Sequence, residues 1–274
     1  MYRDYWHLTE NPFENVFDFR YLYAHPYYEE SLARLYYAVS ERKGGAVLTG
    51  GYGTGKSTVR ESLIKKLKQD GKFRVFSIVH AKFNLDQIIQ DCFFQMGITD
   101  MPKEKPLLLH TFGNKLLELN EKGEHAVLVI DDAHLIDTST LEELKLLINL
   151  HDYNERSLFT LILVGEPMLR SKLVNIPSLL QRLRIMSNLM PLDRNQTADY
   201  IAYRLKVAGG AEDTFLPDAV DEIYGYSRGV LREINNLCDI ALLVCFNEKI
   251  PRVGADVIKR IINDLTAQTE ENLS

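Results

Sequence analysis

The chain has little cysteine. Its three, Cys92, Cys238 and Cys245, show neither the paired spacing of a metal-ligand set nor the density of a disulfide framework. They read as small core residues of a reducing compartment. Long apolar runs are missing as well: the nearest, Ile240 to Phe246, falls far short of the roughly 20 residues a membrane-spanning helix requires. The opening Met1-Tyr2-Arg3-Asp4-Tyr5-Trp6 has an acid and no apolar core, so it is not a secretory signal. A soluble, cytoplasmic protein is the expectation. Positive charge is not in excess either. With 32 Lys and Arg against 38 Asp and Glu, the net charge of -6 gives no general pull toward nucleic acid, although a local basic patch stays open. Neither an internal repeat nor a low-complexity segment occurs.

The remaining composition, 46% hydrophobic and 26% charged over 274 residues, is that of a globular protein able to bury a good core and to hold a second, small domain. Glycine is concentrated at one place. The segment GGYGTGKS, Gly50 to Ser57, fits the pattern GxxxxGK[ST] at Gly50, Gly55, Lys56 and Ser57. Nucleotide phosphates must be wrapped by backbone N–H groups, so the wrapping residues must lack bulk and tolerate unusual dihedrals, as Gly50, Gly51, Gly53 and Gly55 do. Tyr52, Thr54 and Thr58 complete the wrap. Lys56 places a cation on the β- and γ-phosphates, and the Ser57 hydroxyl joins the shell of a Mg²⁺ ion.

The surroundings suit this reading. The apolar Ala46 to Thr49 precedes the loop as a strand, and Val59, Leu63 and Leu67 mark a helix after it that fades at Asp70-Gly71. Further strands are expected at Phe73 to Val79, Ala126 to Ile130, Leu158 to Val164 and Ile185 to Met190. Helices are expected at Leu85 to Met96, Leu107 to Glu121 and Thr140 to Leu150. This alternation means an α/β fold with a parallel sheet, ligands lying at the carboxyl ends of its strands. Beyond Pro191 only helices remain: Gln196 to Val207, Pro217 to Tyr224, Leu231 to Glu248 and Ala255 to Leu265. We therefore expect a nucleotide-binding domain over residues 1–192, a helical lid domain over 193–267 and a fraying tail from 268 to 274.

Carboxylates at the end of an apolar strand are where a phosphate-loop enzyme holds magnesium. Asp131 is the expected metal-side ligand, and Asp132 the candidate to orient or activate the attacking water; either could instead cap the next helix. Glu166, after the fourth strand, could sense the γ-phosphate or cap a loop. Arg182 and Arg184, expected to close a helix from Ser178, and Arg232, opening a later helix, could neutralise charge on the γ-phosphate or be solvated helix charges.

The segments Tyr5-Trp6-His7-Leu8, Asn11-Pro12-Phe13, Phe19 to Tyr23 and Glu30 to Leu35 resemble the opening of the ExeA-type ATPases, the general secretion pathway protein A family of AAA+ proteins. The likeness continues through LTGGYGTGKS, VLVIDDAHL, LILVGEP, LLQRL, YIAYRLKVAGG and SRGVLREINNLCDIALL. This resemblance implies a P-loop NTPase sheet in the strand order 5-1-4-3-2, a C-terminal all-helical lid over the nucleotide, ATP and Mg²⁺ as cofactors, and an ATP-dependent homo-oligomer hydrolysing ATP at subunit interfaces. It makes Arg232 the sensor arginine reaching the nucleotide from the lid. Arg182, with Arg184 as substitute, becomes the finger acting across the interface, and the segment around Asn11 to Phe13 and Tyr21 to Tyr23 falls near the adenine. The family usually reads Asp-Glu-Ala-Gln where this chain has Asp131-Asp132-Ala133-His134, Glu166 stands for Gln and Leu231 for Pro. Slow turnover is expected from the shorter Asp132. The implied partners are secretion or pilus machinery. The alternative is duplex DNA and a transposase, as for the TniB, MuB and TnsC transposition ATPases, with Arg42-Lys43 and the lysines of 65 to 72 as basic segments.

Overall fold

An apolar run buried on both faces has only one place to direct its peptide groups, sideways into neighbouring strands. In the computed structural model, which describes residues 2–79, 82–153 and 155–271, five strands pair in parallel, and the three central ones are such runs. Along the chain, α1 (Tyr2–Tyr5) and α2 (Pro26–Ser40) precede β1 (Gly45–Gly50), α3 (Lys56–Asp70), β2 (Phe73–Ile78), α4 (Leu85–Gln95), α5 (Lys105–Glu121) and β3 (His125–Ile130). Then come α6 (Thr138–Ile148), β4 (Phe159–Gly165), α7 (Met168–Val174), α8 (Pro177–Leu180) and β5 (Ile185–Leu189). Four longer helices follow: α9 (Arg194–Val207), α10 (Pro217–Ser227), α11 (Leu231–Glu248) and α12 (Ala255–Glu271).

The strand order is β2-β3-β4-β1-β5, the anticipated 5-1-4-3-2 read from the other edge. Val47 of β1 pairs with Leu163 of β4 on one side and Met186 of β5 on the other, which fixes the register. β1, β3 and β4 are buried along their whole length, as their unbroken apolar sequences require. Helices cover the sheet through Leu63, Leu67, Ile89 and Phe112, all fully buried, and Phe93 meets Phe112 edge-on at 5.7 Å. Each such side chain contributes about 1.5–3 kcal/mol by leaving water.

The chain divides into two compact units, one of residues 26–51 and 56–189, the other of residues 1–25, 52–55 and 190–274. The first holds the sheet. The second is helical, and its core includes Trp6, Phe13 and Tyr21 together with Leu205, Ile223, Leu237 and Ile258. Trp6 Nε1 donates to the Leu242 carbonyl at 3.0 Å. Arg204, buried, donates to the carbonyls of Pro12 and Glu14 and lies 4.5 Å from the centre of the Tyr21 ring. The first 25 residues thus pack with the helices of the C-terminal part, whereas the sequence grouped them with the sheet; their aromatic residues follow no helical or strand period because they fill gaps between other helices. α12 continues to Glu271, through the start of the segment expected to fray, and residues 272–274 lie outside the described residues. Among the described residues no helix is long and apolar enough to cross a membrane.

Candidate nucleotide site

β1 ends at Gly50 and α3 begins at Lys56, so the glycine segment bridges a strand end and a helix start. Five residues suffice because Gly53 and Gly55 take the left-handed backbone region, at φ 73° and 96°. A Cβ at Gly53 would stand 2.9 Å from side-chain atoms of both Arg232 and Val230, so space as well as φ demands glycine there. Lys56 Nζ donates to the carbonyls of Gly50 at 3.1 Å and Gly51 at 2.9 Å, folding the ammonium back over the loop entry. Ser57 and Thr58 occupy the first turn of α3, whose free N–H groups and positive dipole end attract anions. Loop cradle, ammonium and hydroxyl are the donor set a triphosphate requires.

Asp131 and Asp132 follow β3 at the same edge of the sheet. Asp131 is largely buried, accepts the Asp132 N–H at 2.9 Å and forms an ion pair with Arg60 of α3. Arg60 also meets Glu61 at 2.5 Å, while its Nε is buried without a partner among the described residues. Sequence reasoning passed over Arg60. Its position four residues after Lys56, on the same helix face, is the signal that could have found it. The Asp131 carboxylate already faces a cation, and Ser57 lies three residues before that cation on α3, so carboxylate and hydroxyl supply the oxygen donors that magnesium prefers. Asp132 adopts the left-handed region, φ 46°, and its exposed carboxylate makes no capping hydrogen bond to the 3-10 turn Ala133–Leu135. The capping alternative for Asp132 is not realised.

Glu166 follows the end of β4. Its carboxylate caps no helix, α7 having Pro167 at its N-cap position without a side-chain bond. The Glu166 N–H instead points at Nδ1 of the buried His134, at 3.4 Å. His134 stands in the sequence where the resembled family has Gln; its burial beside the end of β4 has no signature in the residue order.

Arg182 and Arg184 stand elsewhere. The helix expected to carry them stops at Leu180, and both follow in the turn before β5, because Pro177 starts a helix of only four residues. Arg182 donates from Nε to Asn149 Oδ1 at 2.7 Å and from Nη1 to the Ser178 carbonyl at 2.6 Å; Arg184 Nε donates to the Gln181 carbonyl at 3.3 Å. With Arg42, Lys43 and Arg156 they line an open cleft of about 800 Å³. Since Ile185 of β5 pairs with Ala46 at the start of β1, this cleft lies where the strands begin. A six-residue strand spans roughly 20 Å, so neither arginine can reach a phosphate held at Lys56 of its own chain.

In the helical unit, Arg232 is the second residue of α11. Its guanidinium lies 4.4 Å from the centre of the Tyr52 ring and hydrogen-bonds the Tyr52 hydroxyl, while its N–H donates to the Gly53 carbonyl at 3.3 Å. The turn leading to it is fixed: Leu192 N–H donates to the Gly229 carbonyl at 2.9 Å, and a Cβ on Gly229 would collide with the Leu192 carbonyl at 1.8 Å. Tyr21 lies under Arg204, and Tyr23 packs against Tyr200 and Tyr203. The stacking of Tyr52 with Arg232 was not foreseen.

Comparison with known proteins agrees with this geometry. Residues 39–173 match the family model described as an AAA domain. The chain is 32% identical over 251 residues to General secretion pathway protein A of Aeromonas hydrophila, a match covering 90% of this chain and 45% of that protein, so the chain spans about half the length of the curated relative. Among solved structures, the Aeropyrum pernix ORC2 protein in its ADPNP-ADP complexes superposes with a TM-score of 0.69 at 15% identity, covering 93% of this chain and 71% of that one. Cdc6p of Pyrobaculum aerophilum gives 0.68 at 19% identity, covering 90% and 68%. These two likenesses concern the fold. Strand order, phosphate loop, matched domain and curated relative agree: residues 39–173 are an AAA domain on a P-loop sheet, and over nine-tenths of its length the chain is similar to General secretion pathway protein A.

Proposed function

We propose that the chain binds Mg-ATP at Gly50 to Ser57, assembles with further copies of itself when ATP is bound, and hydrolyses ATP slowly where copies meet. The observation that carries this reading is that Lys56, Asp131, Asp132 and Glu166 all follow the carboxyl ends of the strands, next to a loop that Gly53 and Gly55 turn through the left-handed region. Backbone N–H groups from Gly51 to Thr58 hold the phosphates, and Lys56 exchanges the Gly50 and Gly51 carbonyls for the β- and γ-phosphates. Ser57 and Asp131 would hold magnesium, which when bound supplies charge neutralisation on the triphosphate. Asp131 then turns from Arg60. Asp132 orients the attacking water with a side chain one methylene shorter than glutamate, which lowers the rate. Glu166 faces the terminal phosphate, and Arg232 reaches the nucleotide from α11. Arg182 of one copy, with Arg184 as its substitute, serves the triphosphate held by the next, because within a chain the strand length keeps it away.

The process driven would be of a secretion or pilus-assembly kind, in the cytoplasm, by analogy with the relative's name. Calorimetry with Mg-ATP on the parent and on Lys56→Ala tests the binding, and mass in solution with and without ATP tests the assembly. Absence of heat in the parent refutes the reading.

A second reading, an ATP-dependent regulator on duplex DNA working with a transposase, is favoured by one observation. Arg42 and Lys43 share a cleft with Arg156, Arg182 and Arg184 in a chain that is acidic as a whole. Filter binding to duplex DNA across a salt series separates the two: affinity that requires ATP and falls steeply with salt supports the regulator.

A further inference from the structure

His134 lies in the turn after the two aspartates, and its imidazole is only 7% exposed. A polar ring leaves water at a cost unless partners meet it. Here the partners come from two strand ends. The Glu166 N–H, following β4, is directed at Nδ1 from 3.4 Å, which assigns Nδ1 as the acceptor and leaves the ring proton on Nε2. Nε2 in turn faces Glu166 Oε1 at 3.9 Å, and Asp132 Oδ1, following β3, lies 4.0 Å from Nδ1, both beyond hydrogen-bond length; the link to Asp132 is the shared 3-10 turn Ala133–Leu135, which Asp132 opens. The residue is also anchored through its backbone: Lys172 Nζ donates to the His134 carbonyl at 2.6 Å and to that of Ile136 at 3.1 Å. Gly165 admits the close approach, since a Cβ there would stand 3.0 Å from the His134 nitrogen and 3.4 Å from Nδ1. The ring thus joins the turn that begins at Asp132 to the backbone of the residue that follows β4.

We infer that His134 is a positioning residue that ties Asp132 to Glu166, so that engagement of the terminal phosphate near Glu166 sets the placement of Asp132 on the attacking water. This rests on the ATP-hydrolysis reading above. Asp132 and Glu166 follow different strands, β3 and β4, and His134 belongs to the turn after one and receives the N–H that follows the other.

The test compares the parent with His134→Gln, which keeps a donor and an acceptor, and His134→Phe, which keeps the bulk and removes both. Two quantities are read: kcat and KM for Mg-ATP, and the ratio of affinities for a non-hydrolysable ATP analogue and for ADP, by calorimetry. His134→Phe is expected to lower kcat about 10- to 100-fold with KM within about 2-fold, and to bring the analogue-to-ADP ratio near unity. His134→Gln is expected to recover most of both. A His134→Phe protein with the parent's kcat and ratio overturns the inference while leaving the ATPase reading intact. Equal loss of analogue and ADP binding with a lowered Tm, or no recovery by His134→Gln, overturns it in favour of packing alone. If the parent binds nucleotide without turnover, the affinity ratio decides. A parent that binds no nucleotide refutes the ATPase reading and the inference with it.

Discussion

Where its strands finish, the sheet carries Asp131, Asp132 and Glu166 beside Lys56; where they start, it carries Arg42, Lys43, Arg156, Arg182 and Arg184. The three central strands between are apolar and buried throughout, so the contrast belongs to the connections. A parallel sheet sorts its connections by edge, and a chain can load each edge with different chemistry without disturbing the core. The cost is separation. Within one molecule the strand length keeps these carboxylates and arginines apart, and on the function proposed above a head-to-tail pair of copies would bring them to one triphosphate.

The largest effect should come from emptying the carboxylate edge of its ammonium. Lys56→Ala is expected to abolish Mg-ATP binding, a loss of at least about 100-fold in affinity by calorimetry, with the fold intact by circular dichroism. Next comes the cationic edge. Arg182→Ala should bind ATP as the parent does yet lose hydrolysis by about 10³-fold, and mixing it with Lys56→Ala should restore phosphate release, because each variant contributes the edge the other lacks. If the mixture stays inactive, or Arg182→Ala alone turns over normally as an assembled protein, the division of labour between the edges is wrong and Arg184 is the residue to examine.

Smaller effects sharpen the comparison within each edge. Arg60→Met leaves the largely buried Asp131 charge without its partner and should cost about 1–3 kcal/mol in urea unfolding; the loss should shrink when Mg-ATP is present. At the cationic edge the buried His125, whose Nε2 lies 2.7 Å from Thr160 Oγ1, is held down to about 3 by burial and then by the Arg42 charge. The unfolded chain takes up this proton near pH 6.5 and the folded chain only near 3, so stability rises with pH across that window and is lost as pH falls through it. The slope for this one group is about 1.4 kcal/mol per pH unit. Urea unfolding of parent and His125→Gln between pH 6.5 and 4 should show the parent losing stability more steeply; parallel curves would remove the assignment.

The sequence discloses most of the fold because buried parallel strands are written as continuous apolar runs: Ala126 to Ile130 and Leu158 to Val164 can be little else, and the glycine segment at Gly50 fixes which strand leads to the phosphates. Asp131 and Asp132 are legible for the same reason, as charges at the end of such a run. Arg60 and His134 are not. Their significance comes from a partner 71 residues away in one case and 32 in the other, and no local period records a pairing across strands. The arginines before β5 were found, yet their helix was drawn too long, since propensity runs on past Leu180 while the chain must turn back to enter the sheet. α2 and α7 went unread for a related reason: tyrosine-rich or short, they depend on packing more than on pattern.

Arg204 sets the limits of any shortened version of this protein. A fragment trimmed to the matched stretch of 39–173 discards α9 to α12 altogether. One that keeps them but begins after His25 strips a buried guanidinium of the Pro12 and Glu14 carbonyls and of the Tyr21 ring, and bares the seats of Trp6 and Phe13. Such a fragment should aggregate or be degraded, and its silence in an assay would say nothing about catalysis. Expression design for this chain therefore begins at its aromatic leader, however little that leader looks like part of an enzyme.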